Sequence, residues 1–328
     1  MMTIVVDTDR PWVRGSNAAF QNDSIKPGDT FALADETRGK PYGIWQFDGQ
    51  VALRIDLGSQ HPHHPQRRVL VPQGSELVRT LVSALGISNA SVTVQRMELS
   101  PRAFYRGIAR PEADMHGGAA FSAPDYHMRS QELISSLLQL RSLYQELESI
   151  FDVIHPSKAN IFSFGNSIIN LIILACTECE AQWLAVLKLN GYKNSKPTRK
   201  DYYKLSKPMK LNEFTVILQH YRGIDPLVPF AGWDGLNPKP SLPWYDDYNA
   251  LKHDRAGTFE RATLGTALNS IAACWVMIAA QYGYRALREL PDLQNKMRIW
   301  YAPRWSLSEC YFSMGQGFSR ETAVPYPF

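Results

Sequence analysis

A seven-residue repeat of apolar side chains constrains this sequence more than any other feature. The spacing alternates between four and three residues, stops before Pro156, and involves Leu133, Leu137, Leu140, Tyr144, Leu147, Phe151 and Ile154. Such a seam predicts a long helix whose apolar side packs on another helix. Because Ile134, Leu143 and Ile150 widen the seam, we expect a helix pair within the chain rather than a free coiled coil.

More helices are expected after this one. A second long, mostly apolar helix is predicted from about Asn160 to Asn190, where Gly191 ends it. Shorter or later helices are predicted at about Glu213–Arg222, Trp244–Arg255 and Phe259–Gln281. The aromatic tail beyond Leu290 is expected to pack on these helices, because its large rings would otherwise be exposed.

The first 125 residues follow a different pattern. Turn residues recur every few positions, one short helix is predicted at Ser75–Leu85, and strands are predicted at Thr3–Val6, Gly43–Phe47, Val51–Ile55, Val69–Val71 and Val92–Met97. We therefore expect an α+β chain in two parts. Residues 1–125 form a β-rich or mixed module, residues 126–290 an all-α bundle, and residues 291–328 a tail on that bundle.

Composition excludes several classes of protein. The chain of 328 residues is 45% hydrophobic and 20% charged, which excludes a disordered chain and a collagen-like chain. The uninterrupted apolar runs are shorter than the ~20 residues that cross a bilayer. The four cysteines lie in apolar or helical surroundings, as free thiols do. We predict a reduced, cytoplasmic protein without membrane contact.

Positive charge is concentrated in one segment. Seven cations and one carboxylate between residues 193 and 210 give it a charge of +6, so the rest of the chain, whose total is +4, carries −2. The candidate RNA-binding residues are Lys193, Lys196, Arg199, Lys200, Lys204 and Lys207. Such a segment either binds a polyanion or is a solvated loop.

The second long helix carries a polar stripe. Its members are Ser163, Asn166, Ser167, Asn170, Thr177 and Glu178, which share one sector of the helix. Buried polar groups need partners, so the stripe is expected to face water, another subunit or a polar site. For Glu178, which lies deep in an apolar run, we expect a specific partner.

The densest collection of reactive side chains lies between Trp244 and Arg255. Pro243 suits the first position of a helix, on which Trp244, Tyr248 and Leu251 share a face that we expect to be buried. Asn249 and His253 are one turn apart on the opposite face. Lys252 and Arg255 flank that pair.

The motif Tyr248-Asn249-Ala-Leu-Lys-His253, within the order of helices over about residues 128–285, resembles the HEPN superfamily. That family carries Arg-Asn-x-x-x-His and acts in toxin–antitoxin, CRISPR and antiviral defence systems. The resemblance implies metal-independent RNA cleavage without a cofactor, at a site composed from two protomers of a homodimer. His253 would be the acid and base, and Asn249 would orient phosphate or histidine.

One position departs from the family motif. Tyr248 occupies the arginine position, so Lys252 or Arg255 would have to supply the cation that stabilises charge on phosphorus. The alternative is a non-catalytic HEPN-like module for dimerisation or interaction. In that case Asn249 and His253 bind neighbouring backbone or Glu178. In the nuclease, residues 1–125 would act as a sensor or specificity element, and they are also a possible binding module for a protein partner. No metal site is predicted, since the helices carry no Glu-x-x-His pair.

Overall fold

The N-terminal part is built on an antiparallel sheet. The computed structural model describes residues 24–35, 41–55, 68–87, 92–112, 121–194, 196–238, 240–312 and 322–328, so the strand predicted at Thr3–Val6 lies outside the described residues. The first elements in chain order are β1 (Thr30–Asp35), β2 (Pro41–Phe47), β3 (Val51–Arg54), β4 (Arg68–Leu70), α1 (Leu77–Leu85) and β5 (Val92–Arg96). The strand order is β4-β3-β2-β1-β5.

The two faces of this sheet pack in different cores. Phe31 and Leu33 of β1 face one way, onto Leu81 of α1, while Ala32 faces the main core. The alternation is what a strand buried on both sides produces. The predicted helix at Ser75–Leu85 and four of the five predicted strands are confirmed, and α1 ends at Gly86 in a left-handed conformation with φ 65°.

Short strands and direct hydrogen bonds join the sheet to the helices. These strands are β6 (Ala103–Tyr105), β7 (Arg110–Pro111) and β8 (Phe121–Ser122). The amide of Ala109 donates to the carbonyl of Ala280 at 2.8 Å, and Tyr311 Oη donates to the carbonyl of Ile108 at 2.7 Å. One hydrophobic core includes Ile44, Phe104 and Trp275. The hydrophobic core therefore continues across the change of secondary structure near residue 125. The division into independent domains stays a prediction.

Helices dominate the rest of the chain. In the described part these are α2 (Ser130–Phe151), α3 (Asn166–Leu189), α4 (Arg199–Tyr203), α5 (Pro243–His253), α6 (Leu264–Tyr282), α7 (Tyr284–Leu287) and α8 (Pro291–Gln294). Every residue of the seam on α2 is buried, while Ile154 just after the helix packs partly buried against the core. Helix α6 lies at the centre and contacts α2, α3 and α5. The protein is thus a mixed α+β fold with a helical C-terminal part.

The prediction of a helix at Glu213–Arg222 is wrong. Residues Thr215–Leu218 form strand β9, which pairs antiparallel with β10 (Met297–Tyr301) of the tail. Three of its four residues, Thr215, Val216 and Ile217, are β-branched, which favours a strand. The tail also contains β11 (Thr322–Val324), parallel to β6. Of the four tail rings expected to be buried, Trp305, Tyr311 and Phe312 are buried and Trp300 is only half-buried, while the neighbouring Tyr301 is exposed.

Two helix starts differ from expectation. Helix α3 begins at Asn166 rather than near Asn160, after a series of turns. Helix α6 begins at Leu264, because the side chain of Thr263 accepts the amide hydrogen of Thr266 and caps the helix there. Both α3 and α6 are long and apolar enough to cross a membrane by length and composition. However, 50% of the most apolar segment of α3 and 89% of that of α6 are buried inside the protein.

Candidate functional site

Helix α5 is anchored by its aromatic side. The buried residues of this helix are Trp244, Tyr245, Tyr248 and Leu251. The sequence spacing predicted all of them except Tyr245. Trp244 and Tyr245 pack on Trp183 of α3, with ring centroids 6.1 and 5.2 Å away. Because large rings dominate core energetics, this contact fixes the rotation of α5 and therefore the direction of its polar residues.

Asn249 and His253 have different environments. Asn249 Nδ2 donates to the carbonyl of Tyr245 at 2.6 Å, within its own helix. His253 is exposed at the last position of α5, and none of the described residues forms a hydrogen bond with its ring. Of the two partners considered for Asn249, backbone and Glu178, the backbone is the one present. Asn249 is half-buried, whereas His253 is exposed.

The carboxylate that approaches α5 is Glu180, not Glu178. Glu178 Oε1 accepts a hydrogen bond from Gln182 on the same helix at 2.7 Å. Glu180 accepts from Tyr245 Oη at 2.5 Å and from Tyr248 Oη at 3.3 Å. Burial and the Glu180 carboxylate raise the pKa of Tyr245, which stays protonated and able to donate. Tyr248, in the arginine position of the motif, is therefore part of a buried contact with α3.

The sequence offered one signal for Glu180. Cys176 and Trp183 lie four residues before and three residues after it, so they share its side of the helix, and Cys179 precedes it directly. All three are buried. A carboxylate on that side requires donors from a neighbouring element. The polar stripe drew attention to Glu178 instead.

The first turn of α5 is held by ion pairs. Asp246 pairs with Arg199 and Arg261, both at 2.9 Å. Asp247 accepts from Arg261 Nε at 2.8 Å and from Thr266 Oγ1 at 2.9 Å. Burial opposes ionisation of Asp246, but its hydrogen bonds from Arg261 and Arg199 lower its pKa below the usual value. Arg261 was missed in the sequence because it lies outside any motif.

The end of α5 meets the polar stripe of α3. Arg255 Nη2 donates to Asn166 Oδ1 at 3.4 Å and to Asn170 Oδ1 at 3.5 Å. Leu174 lies one turn after Asn170 on α3 and is 49% exposed, and Phe162 and Phe164, in the turns just before the helix, are 76% and 47% exposed. We call this the α3–α5 face; it comprises Phe162, Phe164, Asn166, Asn170, Leu174 and Arg255, with His253 two residues before Arg255. It combines exposed apolar rings with amides and a cation.

The basic segment divides into two groups. Arg199 is mostly buried against Asp246, and Lys204 pairs with Asp201 at 3.3 Å. Lys210, also part of that segment, pairs with Glu309 at 2.9 Å. The remaining lysines are exposed, and no ion pair to another described residue involves them: Lys193, Lys196, Lys200 and Lys207. These four form what we call the lysine surface.

A cavity of about 560 Å³ lies away from α5. Its lining includes Asp29, Glu98 and Glu309. All three carboxylates are already paired, Asp29 with Arg96 at 4.0 Å, Glu98 with buried Arg110 at 2.7 Å and Glu309 with Lys210 at 2.9 Å. Over the described ranges, no three or more His, Cys, Asp or Glu side chains group as a metal site would need.

The fold and the site together define a mixed α+β protein in which exposed polar and apolar residues lie at the start of the third helix and at the end of the fifth. No family model matches the chain, and neither a curated protein nor a solved structure matches it. The likeness to the HEPN superfamily therefore rests on the motif and the order of helices alone.

Proposed function

We propose that this protein is a HEPN-like, RNA-binding module that associates with a second copy of itself in the cytoplasm. The observation that supports this most is the α3–α5 face. Three large apolar side chains that flank Asn166 and Asn170 in the sequence, Phe162, Phe164 and Leu174, are exposed. Exposed apolar groups rimmed by polar groups are typical of protein interfaces. A second copy with the same face would cover the apolar groups and supply amide partners.

Cleavage of RNA is the second candidate function. The observation that favours it is the exposure of His253, since an acid–base catalyst has to reach its substrate. Lys252 and Arg255, which lie one and two residues from His253, are also exposed. Within one chain, however, Asn249 is bound to its own helix and no cleft encloses His253. Catalysis therefore requires the second copy, whereas association does not require catalysis.

Association is tested by light scattering on the full chain after size exclusion. We expect a dimer for the wild type and a monomer for the double variant Phe162→Glu, Leu174→Glu, because the charges would be buried unpaired in the interface. Leu236→Glu is the matched control, since Leu236 is 88% exposed outside this face. A wild-type monomer at every concentration would contradict the proposal.

Cleavage is tested on the same preparations. The wild type and His253→Ala are incubated with total RNA in EDTA. RNA fragments that appear with the wild type but not with His253→Ala would support the nuclease. If the wild type is a dimer and both samples leave the RNA intact, the nuclease is rejected and the interaction module remains.

RNA binding is tested through its dependence on salt. Each lysine of the lysine surface that contacts a phosphate contributes ~0.7 to the slope of log affinity against log salt for single strands. Replacement of Lys193, Lys196, Lys200 and Lys207 by glutamine should flatten this slope by about 3. An unchanged slope would show that the lysine surface is only solvated.

A further inference from the structure

A chain of three side chains leads from α3 to the surface of α5. Lys252 Nζ donates to Tyr248 Oη at 3.3 Å, and Tyr248 Oη donates to Glu180 Oε2 at 3.3 Å. The directions are consistent, since an ammonium only donates, a carboxylate only accepts and a phenol does both. Tyr248 is 2% exposed, and its position is fixed by the core.

This chain restrains the ammonium of Lys252. Nζ lies 5.3 Å from the centre of the Tyr248 ring, within the range of a cation–π contact. The hydrogen bond to Tyr248 raises the pKa of Lys252, and the Glu180 charge adds to this. Lys252 is nevertheless an exposed residue. One of its three N–H groups is used, and two remain for a ligand.

The two neighbouring arginines are held differently. Arg261 donates to Asp247 and Asp246 at 2.8 and 2.9 Å, whereas Arg255 makes only long hydrogen bonds of 3.4 and 3.5 Å to Asn166 and Asn170. Lys252 precedes His253 directly and lies three residues after Asn249, on the adjoining side of the helix. A positioned cation with free donors therefore lies beside the exposed histidine.

We infer that Lys252 binds a phosphodiester of single-stranded RNA beside His253, and that Tyr248 and Glu180 are its positioning residues. The inference rests on the proposed function, because it takes RNA as the ligand. It gives Tyr248 a role in the arginine position of the motif: the tyrosine does not carry the charge but holds the residue that does. A lysine so restrained loses less side-chain entropy when it binds.

The test measures affinity of the full chain for a fluorescein-labelled oligouridylate in EDTA at several salt concentrations. Lys252→Ala should weaken binding roughly tenfold and lower the salt slope by ~0.7, since one phosphate contact is lost. Lys252→Arg should restore the slope. Tyr248→Phe keeps the charge but removes the hydroxyl, so it should weaken binding severalfold with the slope unchanged. Lys188→Ala, an exposed lysine on α3, is the control.

The outcomes separate the two proposals. If Lys252→Ala binds like Lys188→Ala while the four-lysine variant binds weakly, the inference is wrong and the proposed function stands. If the wild type does not bind the oligonucleotide, both are wrong. Competition by inorganic phosphate beyond that of chloride at equal ionic strength would assign the site to free phosphate instead of RNA. Lys252 is exposed, so its two variants remain informative even if Tyr248→Phe unfolds.

Discussion

The two ends of α5 carry similar numbers of charged residues and differ in what those residues do. At the first turn, Asp246 and Asp247 meet Arg199, Arg261 and the hydroxyl of Thr266, so the acids are matched by nearby donors. At the last turn, His253 is exposed and its ring has no partner among the described residues. Charge density alone therefore does not mark a functional site. Groups matched within the chain support packing, while unmatched groups are available to a partner.

The largest difference in stability is expected between a variant on the buried side of α5 and one on its exposed side. Tyr248→Ala removes a ring that is 2% exposed and should lower the free energy of unfolding by about 3 kcal/mol. His253→Ala, five residues further along, should change it by less than about 0.5 kcal/mol. Urea denaturation followed by tryptophan fluorescence measures both. A comparable loss in the two variants would mean that His253 is a packing residue.

A smaller effect should separate the two arginines. Arg261→Ala breaks contacts with both aspartates, but the guanidinium is 41% exposed, so we expect a loss of about 1–2 kcal/mol. Arg255→Ala removes only hydrogen bonds of 3.4 and 3.5 Å, at the limit of useful geometry, and should cost less than about 0.5 kcal/mol. The same denaturation curves test this pair. The reverse order would contradict the division between the two ends.

Local patterns predicted α5 and its buried side well, because each signal lies within a few residues. Pro243 starts the helix, and Trp244, Tyr248 and Leu251 have helical spacing. The seam of α2 was predicted for the same reason. Glu180 was missed, since its significance depends on two tyrosine hydroxyls more than sixty residues away. Partners from distant segments decide whether a charged residue is structural.

The mistaken helix at Glu213–Arg222 has the same origin. Leu211, Phe214 and Leu218 recur at spacings that a helix also shows. Strand β9 forms because Thr215–Leu218 pairs with Met297–Tyr301, nearly eighty residues later. A short apolar segment is ambiguous until its partner is known. The candidate site suffers from the same limit, because a composite site would depend on a second chain.

The smallest expected effect is a pH dependence of stability at α4, the helix whose Arg199 binds the first turn of α5. Helix α4 carries Arg199 to Asp246, and its N-terminus is closed by a capping box in which Asp201 accepts from the amide and hydroxyl of Thr198 at 2.8 and 2.7 Å. Partial burial of Asp201 opposes ionisation, but these hydrogen bonds outweigh it and lower its pKa to about 2, from 3.8.

Because the folded pKa is the lower one, the stabilisation is complete above pH ~4 and is lost as the pH falls from about 4 to 2. Asp201→Asn should therefore be less stable than the wild type at pH 7, by no more than about 1 kcal/mol, as for a single helix cap. The two should converge near pH 2. Urea denaturation across that range measures it, with Asp225→Asn as the control for net charge. A constant difference between the curves down to pH 2 would show that Asp201 stabilises α4 by its shape rather than its charge.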